Sequence, residues 1–237
     1  VDISYNFINT ELTKDVFDSF LLSNAKVFIT LSSVKAVADE VEGELTENQN
    51  PNPVTHYGKS KLLAEQYILS KLIPEGKRVY ILRPCMIHGP GNKGNLNLLY
   101  QLVRKGIPWP LGAFHNQRSF CSIDNVCHVV NEILEREDIS SGVYNLADDV
   151  TVSTNELIEI IGATTNKKAK ILSISKKVIN KFAKIGNFLH LPLNTERLDK
   201  LTENFVVSNI KIKAALGIEK LPVSAKEGLT KTIKSFN

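Results

Sequence analysis

"THYGKSKLLAEQ", residues 55–66, sets Tyr57 four positions before Lys61, with Ser60 between them, at the start of a stretch patterned as a helix. Side chains four apart on a helix share a face. Two explanations compete: a lysine that favours the ionised phenol for proton transfer, or an ordinary amphipathic surface. Around the pair, Leu62, Leu63, Tyr67 and Ile68 predict an inward apolar side on a helix from about His56 to Leu72. Upstream, "KVFITL" (26–31) is a short apolar run that predicts a buried parallel strand. Downstream, "RVYILRP" (78–84) predicts the next strand. Strand, helix and strand in alternation predict an α/β fold, a Rossmann-like doubly wound and mostly parallel sheet.

Farther out, residues 4–22 predict a helix from the spacing of Phe7, Ile8, Leu12, Val16, Phe17 and Phe20. The segment "ADEVEGELTENQNPNPVT" (38–55) has no periodicity and predicts a polar loop. Past "HGPGN" (88–92) the pattern predicts a helix near 95–105, a Pro/Gly loop "GIPWPLGAFHNQRSF", a helix over 124–136 and a strand "GVYNLA" (142–147). From Thr151 onward short helices dominate, among them 153–161, 175–186 and 223–235. This organisation predicts a sheet-bearing part over 1–90 and a smaller mixed α/β lobe over 91–237, with a return to the sheet near 124–150. The Lys-rich helix "SKKVINKFAKIGN" (175–187) is expected to present a solvated face, with a basic docking surface as the alternative.

The 237 residues are 43% hydrophobic and 23% charged, ordinary values for a globular chain able to bury a sizeable core. The net charge of +4 and the absence of Lys/Arg runs longer than two argue against nucleic-acid binding, while leaving room for a local anion pocket. No apolar run approaches the roughly 20 residues of a membrane span, and the N-terminus lacks a signal-peptide pattern. Cys85, Cys121 and Cys127 have no metal-ligand spacing and fit a reducing, cytoplasmic location, with no metal site expected. The chain opens on "VDISYNF" without a methionine, so its first residue is not expected to be the natural one.

Other stretches fall in a telling order around the Tyr-Lys pair. "FITLSSVKAV" places Ser33 just past a strand, 24 residues before Tyr57; "ILRPCMIHGPGN", "NQRSFCSIDNV" and "YNLADD" follow. With these, the sequence resembles the extended short-chain dehydrogenase/reductases, the NAD-dependent epimerase/dehydratase family of nucleotide-sugar enzymes, from about Tyr5 to about Pro222. The family opens with a strand, a glycine-rich turn and a helix that cradle the cofactor pyrophosphate, and no such turn occurs here. "YNFINTELT" instead looks like a later family helix bearing an Asn four residues before a Thr, here Asn9 and Thr13. The chain is therefore expected to lack about two βα units, roughly 60–80 residues. Residues 1–90 would be the remaining NAD(P)-binding core, and 91–237 mostly a nucleotide-sugar lobe.

The resemblance implies roles. Tyr57 would be the acid/base, and Lys61 would favour the phenolate and hold the nicotinamide ribose; Ser33 would hydrogen-bond the same sugar oxygen. The residue-level alternatives are a solvated helix face for Tyr57 and Lys61 and a strand-end cap for Ser33. Ser32 and Pro84 would lie beside the cofactor, and Asn9 would order the site or simply fill a helix. Arg118 would grip the substrate diphosphate, since a guanidinium offers two parallel donors to phosphate oxygens; its alternative is a surface ion pair. Asn95 would touch a phosphate or cap a helix, and Arg197 would reach the nucleotide end. His88 is expected to pack or to line the cofactor's edge rather than catalyse. Met86 falls where several relatives carry a substrate-contacting Asn.

The family's 4,6-dehydratases carry an acidic pair after the Ser/Thr, where this chain has Val34 and Lys35, so dehydration is not expected. The resemblance implies an NAD-dependent 4-epimerase of a UDP-hexose or UDP-N-acetylhexosamine. A 4-keto-6-deoxysugar reductase is the alternative, and a non-catalytic NAD/nucleotide-sugar-binding relative is a third reading. NADP stays open, because the residue that reads the ribose 2′ position belongs to the family's N-terminal part. A homodimer through the Tyr-Lys helix is also implied, with no nucleic-acid partner.

Overall fold

The computed structural model describes residues 3–92, 94–189 and 194–236. It opens with one turn of helix, α1 (Ile3–Tyr5), a π-helical stretch Asn6–Glu11, and α2 (Leu12–Leu22). Strand β1 (Val27–Leu31) leads through a 3₁₀ turn (Val34–Ala36) and the short β2 (Glu44–Leu45) to α3 (His56–Leu69). Then come β3 (Arg78–Pro84), β4 (Met86–His88), α4 (Asn95–Arg104), β5 (Phe120–Ser122), α5 (Ile123–Glu135) and β6 (Gly142–Leu146). The remainder holds α6 (Thr154–Thr164), α7 (Lys176–Leu189), α8 (Thr195–Thr202), β7 (Val206–Val207), α9 (Ile210–Leu216) and α10 (Ala225–Lys234).

The main sheet is parallel, in the order β1-β3-β6. Strand β3 is central, and its alternation explains the layers. Val79 and Ile81 point to one face, where they meet Phe17, Phe20 and Ile68 of α2 and α3. Tyr80 and Leu82 point to the other, against Val126, Val129 and Ile133 of α5 and Ile212 and Leu216 of α9. Each fully buried side chain of this size contributes roughly 1.5–3 kcal/mol. Helices on both faces confirm the doubly wound α/β arrangement. A further cluster, with Leu99, Tyr100, Trp109, Ile158, Ile161 and Leu229, lies among α4, α6, α7, α8 and α10.

Two readings are corrected. The segment 38–55 is not all loop: Glu44 and Leu45 pair in parallel with Val206 and Val207. Leu45 is fully buried, so one apolar side chain anchors a stretch too polar to show a period. Leu63 is not inward but 41% exposed. Helix α3 buries Gly58, Ser60, Ala64, Glu65 and Ile68 instead, a face chosen by small and polar contacts rather than by its leucines. Gly58 is required there, because a Cβ would stand 2.3 Å from the Lys35 carbonyl oxygen.

Candidate active site

The Thr55 hydroxyl caps α3 by accepting from the Gly58 N–H at 3.1 Å, and Asp39 holds that cap by accepting from the N–H groups of Val54 and Thr55 at 2.7 and 3.1 Å. This seats Tyr57 in the first turn. Lys61, one turn on, donates from Nζ to the Leu31 carbonyl at 3.0 Å, with its ammonium 6.0 Å from the Tyr57 ring centre. Burial pushes the Lys61 ammonium below its usual range, and Glu65 acts in the opposite sense. Among the described residues the Tyr57 hydroxyl bonds to no protein group, while the ring packs edge-on against Tyr5 at 5.9 Å.

Ser33 is buried and its hydroxyl accepts from the Lys35 N–H at 3.2 Å, so it does cap the 3₁₀ turn; its hydroxyl proton remains available for a further bond. That turn packs directly on the Gly58 backbone, beside Tyr57. Ser32 donates its hydroxyl inward to Glu65. Glu65 also takes Arg83, Nε at 2.9 Å and Nη2 at 2.5 Å, in a pair 5% and 2% exposed. This buried knot ties α3 to the carboxyl ends of β1 and β3. The sequence held a signal for it: Arg83 interrupts an apolar strand and requires a buried acid, and Glu65 lies one turn past Lys61. Asn9 Nδ2 donates to Ser60 Oγ at 3.0 Å, and Ser60 Oγ donates to the Tyr57 carbonyl at 2.8 Å, so Asn9 braces the helix turn that carries Tyr57. Pro84 ends β3, buried.

Arg118 approaches from the lobe. Its backbone is held between Val152 and Phe205, its Nη1 donates to the Lys200 carbonyl at 2.6 Å, and its Nη2 lies 3.5 Å from Glu203. Burial lowers its pKa, opposed by Glu203. Lys35 lies with its ammonium 4.3 Å from the Phe205 ring centre, and burial lowers its pKa while Glu203 and Asp39 raise it. Lys35 thereby reaches from the Ser33 turn towards the Arg118 arm, a placement beyond its reading as the residue standing where dehydratases carry an acid. Arg197 is exposed on α8, its N–H capped by Asn194 at 2.8 Å. Asn95 is the first residue of α4, whose N-cap is Gly94; the Asn95 side chain lies outside the described residues. His88 is buried, with Nδ1 3.0 Å from the Thr232 hydroxyl and Nε2 3.5 Å from Asp148. It clasps α10 to the strand, as packing requires.

Ser33 follows the carboxyl end of β1 and Lys61 bonds the last carbonyl of that strand, one helical turn after Tyr57, in the region where open α/β sheets bind ligands. A family model described as "NAD dependent epimerase/dehydratase family" matches residues 2–147. The chain belongs to the NAD-dependent epimerase/dehydratase family. Within it, the chain is 29% identical to UDP-glucose 4-epimerase of Vibrio cholerae, over 98% of its own length and 70% of the relative's. It is 26% identical to N-acetyl-alpha-D-glucosaminyl-diphospho-ditrans,octacis-undecaprenol 4-epimerase of Escherichia coli O157:H7, over 88% of its length and 61% of the relative's. In structure it is similar to UDP-glucuronic acid 4-epimerase from Bacillus cereus in complex with NAD, with a TM-score of 0.72 at 18% identity, covering 96% of this chain and 67% of that one. The chain thus spans roughly two thirds of the length of these epimerase/dehydratase relatives.

Proposed function

We propose that this chain carries the catalytic residues of an NAD-dependent 4-epimerase acting on a UDP-hexose or UDP-N-acetylhexosamine through a transient 4-keto sugar. One observation carries the reading: among the described residues the Tyr57 hydroxyl bonds to no protein group, the Lys61 ammonium lies 6.0 Å from its ring centre, and the turn capped by Ser33 packs on Gly58 and holds Val34 and Lys35, with no acid.

The residues fit the cofactor. Lys61 uses one of its three donors on Leu31, which leaves two for ribose hydroxyls. Pro84, the Ser32 backbone and the Asn9-braced turn form the surrounding wall. Bound NAD supplies a hydride acceptor and, on return, a hydride donor at C4 of the sugar. Tyr57 takes the proton from the C4 hydroxyl and gives it back after the keto sugar turns over. Ser33 donates to the same oxygen and keeps it aligned, and the Lys61 ammonium favours the phenolate. Arg118 holds the diphosphate, Asn95 adds a phosphate contact, and Arg197 lies towards the nucleotide end. Residues 1–90 form the cofactor side and 91–237 mostly the substrate lobe. Exposed Leu12, Val16 and Leu63 on α2 and α3 support a homodimer through these helices.

Proton NMR of UDP-glucose and UDP-N-acetylglucosamine incubated with the purified protein and NAD tests the reading. Appearance of the C4 epimer without net NADH is the expected result. One NADH or NADPH consumed per product from a 4-keto sugar assigns a reductase instead.

A further inference from the structure

Residues 160–195 contain seven lysines, from Lys167 to Lys184, and not one Asp, Glu or Arg. The rest of the chain holds 22 basic and 25 acidic side chains, so a modest net charge conceals a strongly cationic segment on a slightly anionic body. Helix α7 lies inside this segment. It buries Ile179 and Ala183 in the lobe's apolar cluster. Facing away are Val178 at 43%, Phe182 at 60%, Ile185 at 42% and Phe188 at 85% exposure. At about 100° per residue, Val178, Phe182 and Ile185 fall in one stripe about 60° wide, with Phe188, Lys177, Lys181 and Lys184 along one flank.

We propose that α7 docks on an anionic lipid surface, its apolar stripe entering the headgroup boundary and its lysines meeting the lipid charge. Charge complementarity selects this occupant. An unbroken run of cations with no acid to set a register suits a uniformly negative plane, whereas a protein partner is selected by patterned charge. Phe182 and Phe188 offer rings on which bases can stack, but the aliphatic surface of Val178 and Ile185 in the same stripe is gained only by an apolar boundary. Basic residues beside exposed Phe and Ile on one helix are the composition of an interfacial helix. Among the described residues no helix is long and apolar enough to cross a membrane, so the contact would be peripheral. Helix α7 packs on α8, and α8 supplies the Lys200 carbonyl that holds Arg118, so docking would bring the Arg118 side of the lobe towards the lipid. The proposal does not rest on the substrate reading, and its test reads lipid rather than turnover.

Vesicle co-sedimentation of the purified protein decides it, with phosphatidylcholine alone or mixed with phosphatidylglycerol. Binding to the anionic mixture at least about tenfold tighter than to phosphatidylcholine, and weakening with salt, is expected. Lys181→Glu with Lys184→Glu, and separately Phe182→Ser with Phe188→Ser, should each lower it about tenfold or more, while turnover of a soluble UDP-sugar and the circular dichroism stay unchanged. Lys220→Glu with Lys226→Glu, outside the segment, should leave binding within about twofold. Failure to bind anionic vesicles, or equal binding by the α7 variants, overturns the proposal. So does self-association abolished by the Phe pair without vesicle binding, which would assign the face to a second copy of the chain.

Discussion

Helices α3 and α7 are both 14 residues long, and they break the usual inside–outside rule in opposite directions. Helix α3 buries Ser60 and Glu65 while Leu63 and Leu69 stand 41% and 59% exposed. Helix α7 buries a narrow line of small and aliphatic residues and leaves two phenylalanines in the open. In α3 the buried polar groups are all spent: Ser60 on Asn9, Thr10 and the Tyr57 carbonyl, Glu65 on Arg83 and Ser32. The cost of burying them is offset by complete pairing, which fixes the helix in place. In α7 the tie to α8 among the described residues is the exposed Asn187–Thr195 pair rather than a buried one, and the exposed stripe is explained by what it would touch. A helix face is thus set by its contacts, and hydropathy is only one of them.

The sharpest way to break the contrast is at Tyr57, the acid/base of the proposed reaction. Tyr57→Phe should cut turnover by about 10²–10⁴-fold, since positioned proton transfer contributes on that scale. UDP-sugar binding should persist, because the ring and its contact with Tyr5 remain. Steady-state kinetics with calorimetric binding checks both, and turnover within about tenfold of the parent would remove Tyr57 from the chemistry.

Glu65→Ala should destabilise the fold by about 3–5 kcal/mol, the effect of stranding a buried Arg83. Urea unfolding measures this. Replacing Glu65 and Arg83 together by apolar residues of similar size should recover much of the stability. Turnover in that double variant should stay low if the knot also positions Ser32 and its neighbour Ser33. Arg118→Ala should weaken UDP by roughly 1.5–3 kcal/mol with NAD affinity little changed; equal UDP affinities in calorimetry would detach Arg118 from the diphosphate.

The smallest effect concerns the cap of α3. Desolvation pushes the Asp39 carboxyl up, but hydrogen bonds from Val54 and Thr55 and the nearby Lys35 charge prevail and hold its pKa below the usual carboxylate value. A depressed folded pKa contributes stability above the unfolded value, and that contribution disappears as pH falls through the folded one. Asp39→Asn should therefore flatten the acid side of the stability profile slightly, and leave stability above the carboxylate range lower than in the parent. Thermal melts of both proteins across the acid range would show it; parallel profiles would deny Asp39 a charged role.

The alternation of strand and helix was legible because β3 is buried on both faces and therefore apolar throughout, and Tyr57 and Lys61 were legible because a helix sets their spacing by itself. The Glu65–Arg83 knot was less visible: its partners are 18 positions apart and meet only through packing. Lys35 was noticed only as a missing acid, since nothing local places its ammonium over Phe205, 170 positions away. The pairing of β2 with β7 had no signal at all, two residues being too short for a period.

The π-helical stretch Asn6–Glu11 works as a phase shift. The Leu12 N–H bonds back to the Phe7 carbonyl, five residues earlier, so the helix accommodates one extra residue without ending. In an uninterrupted α-helix Tyr5 and Phe17 would point about 120° apart; one inserted residue brings them to within about 20°. Tyr5 can then lie against Tyr57 while Phe17 lies in the core, on a single continuous rod. Deleting one residue from 6–11 would restore an ordinary α-helix with eleven steps from Tyr5 to Phe17, again about 20° apart, and would leave Tyr5 beside Tyr57. Rewinding the same residues as a regular α-helix would instead turn Tyr5 about 100° from its place, so the winding of this one turn sets the wall beside Tyr57.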